Sequence, residues 1–223
     1  MYNVFAMSRG IPFANGEYYH LYNRGTEKRD IFLNTRDYER FQKSLYLMNG
    51  TKNIIFRELT EKDHYAINVG EWLVSIGCYC LIPNHFHILV REKTEGGISQ
   101  FMKKVGTAYS MYFNILNKRN GGLFQGKFKA KHINKDEYLN YLYAYIHLNP
   151  VKLLEPRWKE FGIKNFQKAK KYLQNFPFSS YQDYFESVNR PEDSILEREA
   201  FPEYFEDSTF DALIENWLLY KNT

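Results

Sequence analysis

Only two cysteines occur in the 223 residues, Cys78 and Cys80, and both sit in one apolar run. Two apart on a strand they project the same way from one segment, which is poor geometry for a disulfide. The pair fits buried, small apolar side chains in a reducing compartment, and a disulfide scaffold is excluded. No apolar run is long enough to cross a membrane as a helix. The opening residues, MYNVFAMSRG, lack the apolar core of a secretion signal. A cytoplasmic protein with no membrane partner is expected. Internal repeats and low-complexity tracts are missing too. Acids are absent from one long stretch: Gly96 to Lys135 holds neither Asp nor Glu, yet contains Lys103, Lys104, Lys118, Arg119, Lys127, Lys129, Lys131 and Lys135. The formal charge of +4 hides this asymmetry. A basic middle suits a polyanionic partner, and the acid-rich stretch after Gln182 suggests a separate module.

What the chain has in excess is aromatic side chains, 19 Tyr and 18 Phe, too many for all of them to lie in the core. Glu17 to Arg24 reads as a strand with His20, Tyr22 and Arg24 on one face. A helix follows with Thr35 as N-cap and Gly50 as terminator. Thr51 to Gly70 is a loop with a short strand at Asn53 to Arg57. Trp72 to Ile82 and Phe86 to Arg91 form a hairpin about Pro83-Asn84. Ile98 to Lys118 is a long helix whose apolar stripe runs from Ile98 to Leu116. Leu123 to Ile133 is extended, and Asp136 opens a helix capped by Asn134 and stopped by Pro150. Phe161 to Asn175 and Thr209 to Lys221 read as further helices.

Three patterns carry possible chemistry. His85 and His87 leave one strand face side by side next to a turn, half of a metal site that needs a third ligand from elsewhere. The plain alternative is two half-buried hairpin histidines. Lys127, Lys129 and Lys131 line one strand face in the acid-free zone, where they either meet phosphates or protect a sheet edge from aggregation. Tyr138, Tyr141, Tyr145 and Asn149 lie along one helical stripe, which aromatic packing ended by a capping Asn would also explain.

The order of five segments decides between these alternatives. YHLYNRG, CLIPNHFHILV, FQGKFKAK, YIHLNPVK and FSSYQDY follow one another as in the single-tyrosine HUH transposases. The chain resembles most the branch associated with repetitive extragenic palindromes in bacteria, over about residues 17–184. The resemblance implies an α+β fold, a ferredoxin-like antiparallel sheet with packed helices. It implies a catalytic domain over residues 1–160 and a largely helical extension over 161–223, acidic toward its end. By the same resemblance His85, His87 and Asn149 bind a divalent metal, Mg²⁺ or Mn²⁺, and Tyr145 is the nucleophile. The expected chemistry is cleavage and strand transfer of single-stranded or hairpin DNA through a 5′-phosphotyrosine, by a monomer or homodimer. Arg24, Lys103, Lys104, Lys127, Lys129 and Lys131 are the expected DNA contacts. The family often carries Trp where Phe178 stands, and the acidic segment after Asn189 matches no part of it. The competing readings are a non-cleaving DNA- or RNA-binding regulator on the same fold and a metal-dependent hydrolase, which would want nearby carboxylates.

Overall fold

One strand sorts the molecule into two faces. In β3 (His85–Glu92) alternate side chains point to opposite sides of the sheet, so Phe86, Ile88 and Val90 face one layer of helices while His85 and His87 face another. The computed structural model describes residues 12–60, 63–184, 189–202 and Ile214. The chain runs β1 (Tyr18–Arg24), α1 (Thr35–Leu47), β2 (Val74–Ile82), β3, α2 (Gly97–Leu116), β4 (Lys129–Ile133) and α3 (Asp136–Leu148). The shorter α4 (Val151–Leu154), α5 (Trp158–Phe161) and α6 (Phe166–Gln174) follow. The strands form one antiparallel sheet in the order β2-β3-β1-β4. With α1 joining β1 to β2 and α2 joining β3 to β4, this is the βαββαβ connection of the ferredoxin-like fold.

The apolar face packs on α1 and α2. Phe86 meets Phe41 at 5.0 Å between ring centres, and Phe41 meets Tyr109 of α2 at 4.9 Å. The start of α1 differs from expectation by one residue. Asn34 is the N-cap, its side chain accepting the Asp37 N–H at 3.3 Å, while Asp37 reaches back to the Leu33 N–H at 2.8 Å. The first bond satisfies a donor that the helix start leaves open, the second holds the residue before the cap, and Asn suits the capping task at least as well as Thr. After α1, a Cβ on Gly50 would lie 2.0 Å from the Val69 carbonyl oxygen, so glycine alone lets the returning chain pass there. The strand expected at Asn53 to Arg57 does not form; a 3-10 turn spans Phe56–Glu58, with the Arg40 guanidinium 3.3 Å over the Phe56 ring. On α2, Leu116 is exposed and Phe113 is buried in its stead.

The second face is covered by α3 and by the segment after it. The N-cap of α3 is Lys135 and no side chain caps it, contrary to the expectation for Asn134. Asn149 keeps helical angles (φ −56°, ψ −37°) although Pro150 follows, and the chain continues straight into α4. The proline bias against helix is overcome locally, since Asn149 is buried and its Nδ2 donates to the Tyr145 carbonyl at 3.0 Å.

The outer edge of β2 is closed by the FSSY segment. Leu81 N–H donates to the Phe178 carbonyl at 2.9 Å, and Ser180 N–H donates to that of Tyr79 at 3.0 Å. Pairing of this kind removes an exposed sheet edge. The described part of the later chain is pinned there by Arg190, whose guanidinium holds both Asp183 carboxylate oxygens and the Tyr79 hydroxyl. Cys78 and Cys80 are buried thiols. No helix among the described residues is long and apolar enough to cross a membrane. The helix expected at Thr209 to Lys221 lies outside the described residues except for Ile214, which is buried.

Candidate active site

The face of β3 that looks toward α3 carries the two histidines as neighbours, their rings 5.0 Å apart and nearly perpendicular at 87°. His85 is partly exposed and His87 is buried. Asn84, in the turn before them, orients the first. Its Nδ2 donates to the Lys28 carbonyl at 3.2 Å, which turns Oδ1 toward His85 Nδ1 at 2.6 Å. An amide oxygen only accepts, so His85 carries its proton on Nδ1 and presents a lone pair at Nε2. The second histidine touches a third one. His20 of β1 places Nε2 2.8 Å from His87 Nδ1, the rings stacked at 5.0 Å. Burial, aided by the nearby Lys131 charge, holds the His20 pKa down to about 3, so this imidazole is neutral.

Onto this trio α3 lowers a tyrosine. The Tyr145 ring lies 5.6 Å from that of His87 and 6.4 Å from that of His20, edge-on to both. Its neighbours on the stripe stack behind it, Tyr141 at 5.9 Å and Tyr138 a further 5.9 Å on. Tyr143 points the other way, buried against His147 and Tyr184. Burial raises the Tyr145 phenol above its usual range, while a hydrogen bond with the Asn149 side chain and the charge of Lys152 act against that rise. Both opposing groups favour the phenolate.

The basic residues divide by sheet face. Arg24 stands opposite His85 in the β1–β3 register and bonds Gln125 through Nε. Lys129 pairs with Tyr22, itself opposite His87, and Lys131 pairs with His20. The Lys131 ammonium sits 4.0 Å over the Tyr138 ring. Lys127 is exposed just before β4. Lys103 and Lys104 belong to α2, on the Phe86 side of the sheet, and Lys104 is held by the carbonyls of Gly50 and Lys52. The fold thus brings Arg24, Lys129 and Lys131 to the histidine face and keeps Lys103 and Lys104 on the opposite one.

Residues 15–149 match the protein family described as Transposase IS200 like, more than half of the chain. The chain belongs to the IS200-like transposase family. Among solved structures it is similar to a REP-associated tyrosine transposase bound to a REP hairpin, with a TM-score of 0.52 and 15% sequence identity. That likeness covers 84% of this chain and 90% of the other. At this identity it speaks for the fold. No curated protein sequence matches the chain. Four residues at or behind the site stand out to which the sequence patterns gave no role in it. Asn84 and His20 sit inside two of the five diagnostic segments and each bonds one histidine. Lys152 is one position past Val151 in YIHLNPVK, and Ser180 lies in FSSYQDY, where it bonds His147 of the tyrosine helix at 2.8 Å. Only their presence in those segments could have marked them.

Proposed function

We propose that this transposase cuts and rejoins single-stranded DNA, at or beside a hairpin, with Tyr145 as the nucleophile and residues 1–160 as the catalytic unit. The observation that carries the reading is the meeting of the Tyr145 ring with the paired histidines, 5.6 Å from His87. His85, His87 and Asn149 would hold a divalent ion, Mg²⁺ or Mn²⁺. Among the described residues no three His, Cys, Asp or Glu side chains converge as a metal site. We take the third protein donor to be the Asn149 amide oxygen, one helical turn past Tyr145. The donor set fits. Asn84 keeps the His85 proton on Nδ1, so Nε2 is the unprotonated nitrogen, and two imidazoles with an amide oxygen leave positions open for phosphate and water oxygens. A bound ion would polarise the scissile phosphate and offset the charge that gathers on its oxygens.

The chain's own groups supply the rest. The Tyr145 oxygen attacks phosphorus, the Tyr O–P bond forms as the P–O3′ bond breaks, and the phenolic proton ends on the departing 3′ oxygen. One phosphodiester replaces another, so rejoining needs no nucleotide cofactor. A phenol with a pKa near ~10 is a weak nucleophile at neutral pH. Asn149 and Lys152, by favouring the phenolate, lower the cost of making it one. Lys127, Lys129, Lys131 and Arg24 would draw the DNA backbone across the same face. Tyr138 and Tyr141, half-buried beside Tyr145, offer ring surface to an unpaired base, each such stack contributing about 1–3 kcal/mol. Hairpin recognition draws its support from the bound DNA of the structural relative.

The test is covalent trapping on single-stranded oligonucleotides that carry the hairpin, labelled on either side of the cut. A denaturant-resistant adduct carrying only the fragment 3′ of the break is expected. An adduct carrying the 5′ fragment would reverse the polarity. Binding without any adduct would leave a non-cleaving regulator.

A further inference from the structure

We propose that His20 is a positioning residue that fixes which nitrogen His87 presents to the site. This rests on the reading of His85 and His87 as metal ligands, and it concerns a histidine bond whose direction the geometry leaves open. A single proton lies between His20 Nε2 and His87 Nδ1, 2.8 Å apart. If His20 donates it, His87 Nδ1 accepts and the other His87 nitrogen, Nε2, carries its own proton and cannot ligate. If His87 donates it, Nε2 keeps its lone pair. Only the second arrangement makes His87 a ligand through Nε2. His20 is then the neutral acceptor with its own proton on Nδ1.

The neighbouring histidine shows the same device in its unambiguous form. His85 Nδ1 meets Asn84 Oδ1 at 2.6 Å; the bond from Asn84 Nδ2 to the Lys28 carbonyl turns the oxygen, which only accepts, toward the ring. Each ligand candidate is thus bonded through Nδ1 by a residue from outside the pair, one from the turn and one from β1. The sheet makes the His20 partnership rigid. His20 faces Leu89 in the β1–β3 register, two positions along β3 from His87 and on the same face. Its ring is held between Tyr22 at 4.9 Å and Tyr145 at 6.4 Å. An acceptor so placed orients a metal-binding imidazole and fixes its tautomer, and loss of such a partner typically weakens metal affinity about 10- to 100-fold.

The first arm of the test needs neither metal nor variant. Nitrogen-15 NMR of the full-length protein in chelator should show His87 as the Nδ1–H tautomer. An Nε2–H tautomer overturns the proposal. The second arm compares His20→Phe, which keeps a ring of similar size without an acceptor, and His20→Gln, which keeps an acceptor. Mn²⁺ binding followed by electron paramagnetic resonance should weaken about 10- to 100-fold in His20→Phe and recover in part in His20→Gln. Unchanged Mn²⁺ affinity in a folded His20→Phe, or an unchanged His87 tautomer in it, overturns the proposal. Failure of the metal reading looks different: wild type and His87→Ala would then bind Mn²⁺ equally poorly. The tautomer comparison, made without metal, decides the role of His20 in that case. If His20→Phe does not fold, the wild-type spectrum and His20→Gln decide it.

Discussion

His147 and Ser180 are joined by a 2.8 Å hydrogen bond that ties the tyrosine helix to the strip closing the sheet edge. The direction of the bond follows from the other side of the ring. His147 Nδ1 lies 3.0 Å from the Tyr143 carbonyl oxygen, which only accepts, so Nδ1 carries the proton and Nε2 accepts from the Ser180 hydroxyl. The same hydroxyl oxygen accepts the Tyr79 N–H at 3.0 Å. One buried oxygen therefore links α3, β2 and the FSSY segment. That linkage ties α3 to the sheet at His147, two residues from Tyr145, beside the apolar packing of Leu142, Tyr143 and Ile146.

Ser180→Ala removes this oxygen and strips a hydrogen bond from two buried groups, the His147 ring and the Tyr79 amide. Leaving a buried polar group without its partner costs about 1–3 kcal/mol. Urea unfolding should show a lower midpoint with an unchanged slope, the mark of lost stability without a change in compactness. A midpoint equal to the wild type would remove the Ser180 hydroxyl from the set of structural links.

Stability should also fall with acid, and His147 contributes a defined part of the fall. Burial drives its pKa from 6.5 down to about 3, against the opposing pull of the Tyr143 carbonyl. Below pH 6.5 the unfolded chain takes up a proton that the folded chain refuses, so stability is complete above that value. It declines as pH drops toward 3, by up to about 1.4 kcal/mol per pH unit for one group. Replacing His147 by Gln should reduce the proton uptake on unfolding at pH 5 by about one relative to wild type. Equal uptake in the two proteins would show that His147 is not excluded from protonation in the folded state.

Much of this architecture was legible from the residues. Alternation in CLIPNHFHILV placed His85 and His87 on one face, and three-four spacing placed Tyr145 and Asn149 together, because these regular geometries depend on backbone alone. The tertiary partners were not legible. Nothing local says that His20 of β1 lies against His87 of β3, since that contact is set by strand register. Nor does YIHLNPVK reveal that His147 will find Ser180, 33 residues on. Local capping misled twice. Thr35 and Asn134 have capping side chains, yet the helices start from Asn34 and Lys135, each a single residue away. The stretch from Asn53 to Arg57 has strand-like residues, but its Phe56 ring is taken up under the Arg40 guanidinium of α1 and the backbone turns there.

The division of cations between sheet faces makes salt dependence a discriminating measurement. For single strands the logarithm of affinity falls about 0.7 per neutralised phosphate for each tenfold rise in salt. Changing Lys127, Lys129 and Lys131 to Gln together should flatten that slope by about 2. The double change of Lys103 and Lys104 to Gln should leave it near the wild-type value, because both rise from α2 on the Phe86 side. Equal effects from the two sets would mean that DNA wraps both faces. No effect from the first set would take β4 out of the binding surface.

Four tyrosines lie within one helix, and the geometry selects among them. Tyr143 is fully buried against Tyr184 and His147, with no approach for a phosphate. Tyr138 and Tyr141 share the stripe with Tyr145, but Tyr141 stands eight residues before Asn149, about 12 Å along the axis. Tyr145 stands one turn away, hydrogen-bonded to the Asn149 side chain and edge-on to His87 at 5.6 Å. Tyr145→Phe keeps the ring that packs against His87, His20 and Tyr141 and removes only the attacking oxygen. It should melt close to the wild-type temperature, bind single-stranded DNA with wild-type affinity and form no covalent adduct. Tyr141→Phe should form adduct, more weakly if its ring edge orients the unpaired base. Adduct formation by Tyr145→Phe would move the nucleophile to another residue. Loss of adduct in Tyr141→Phe with Tyr145 intact would show that the stacked pair, rather than a single phenol, carries the reaction.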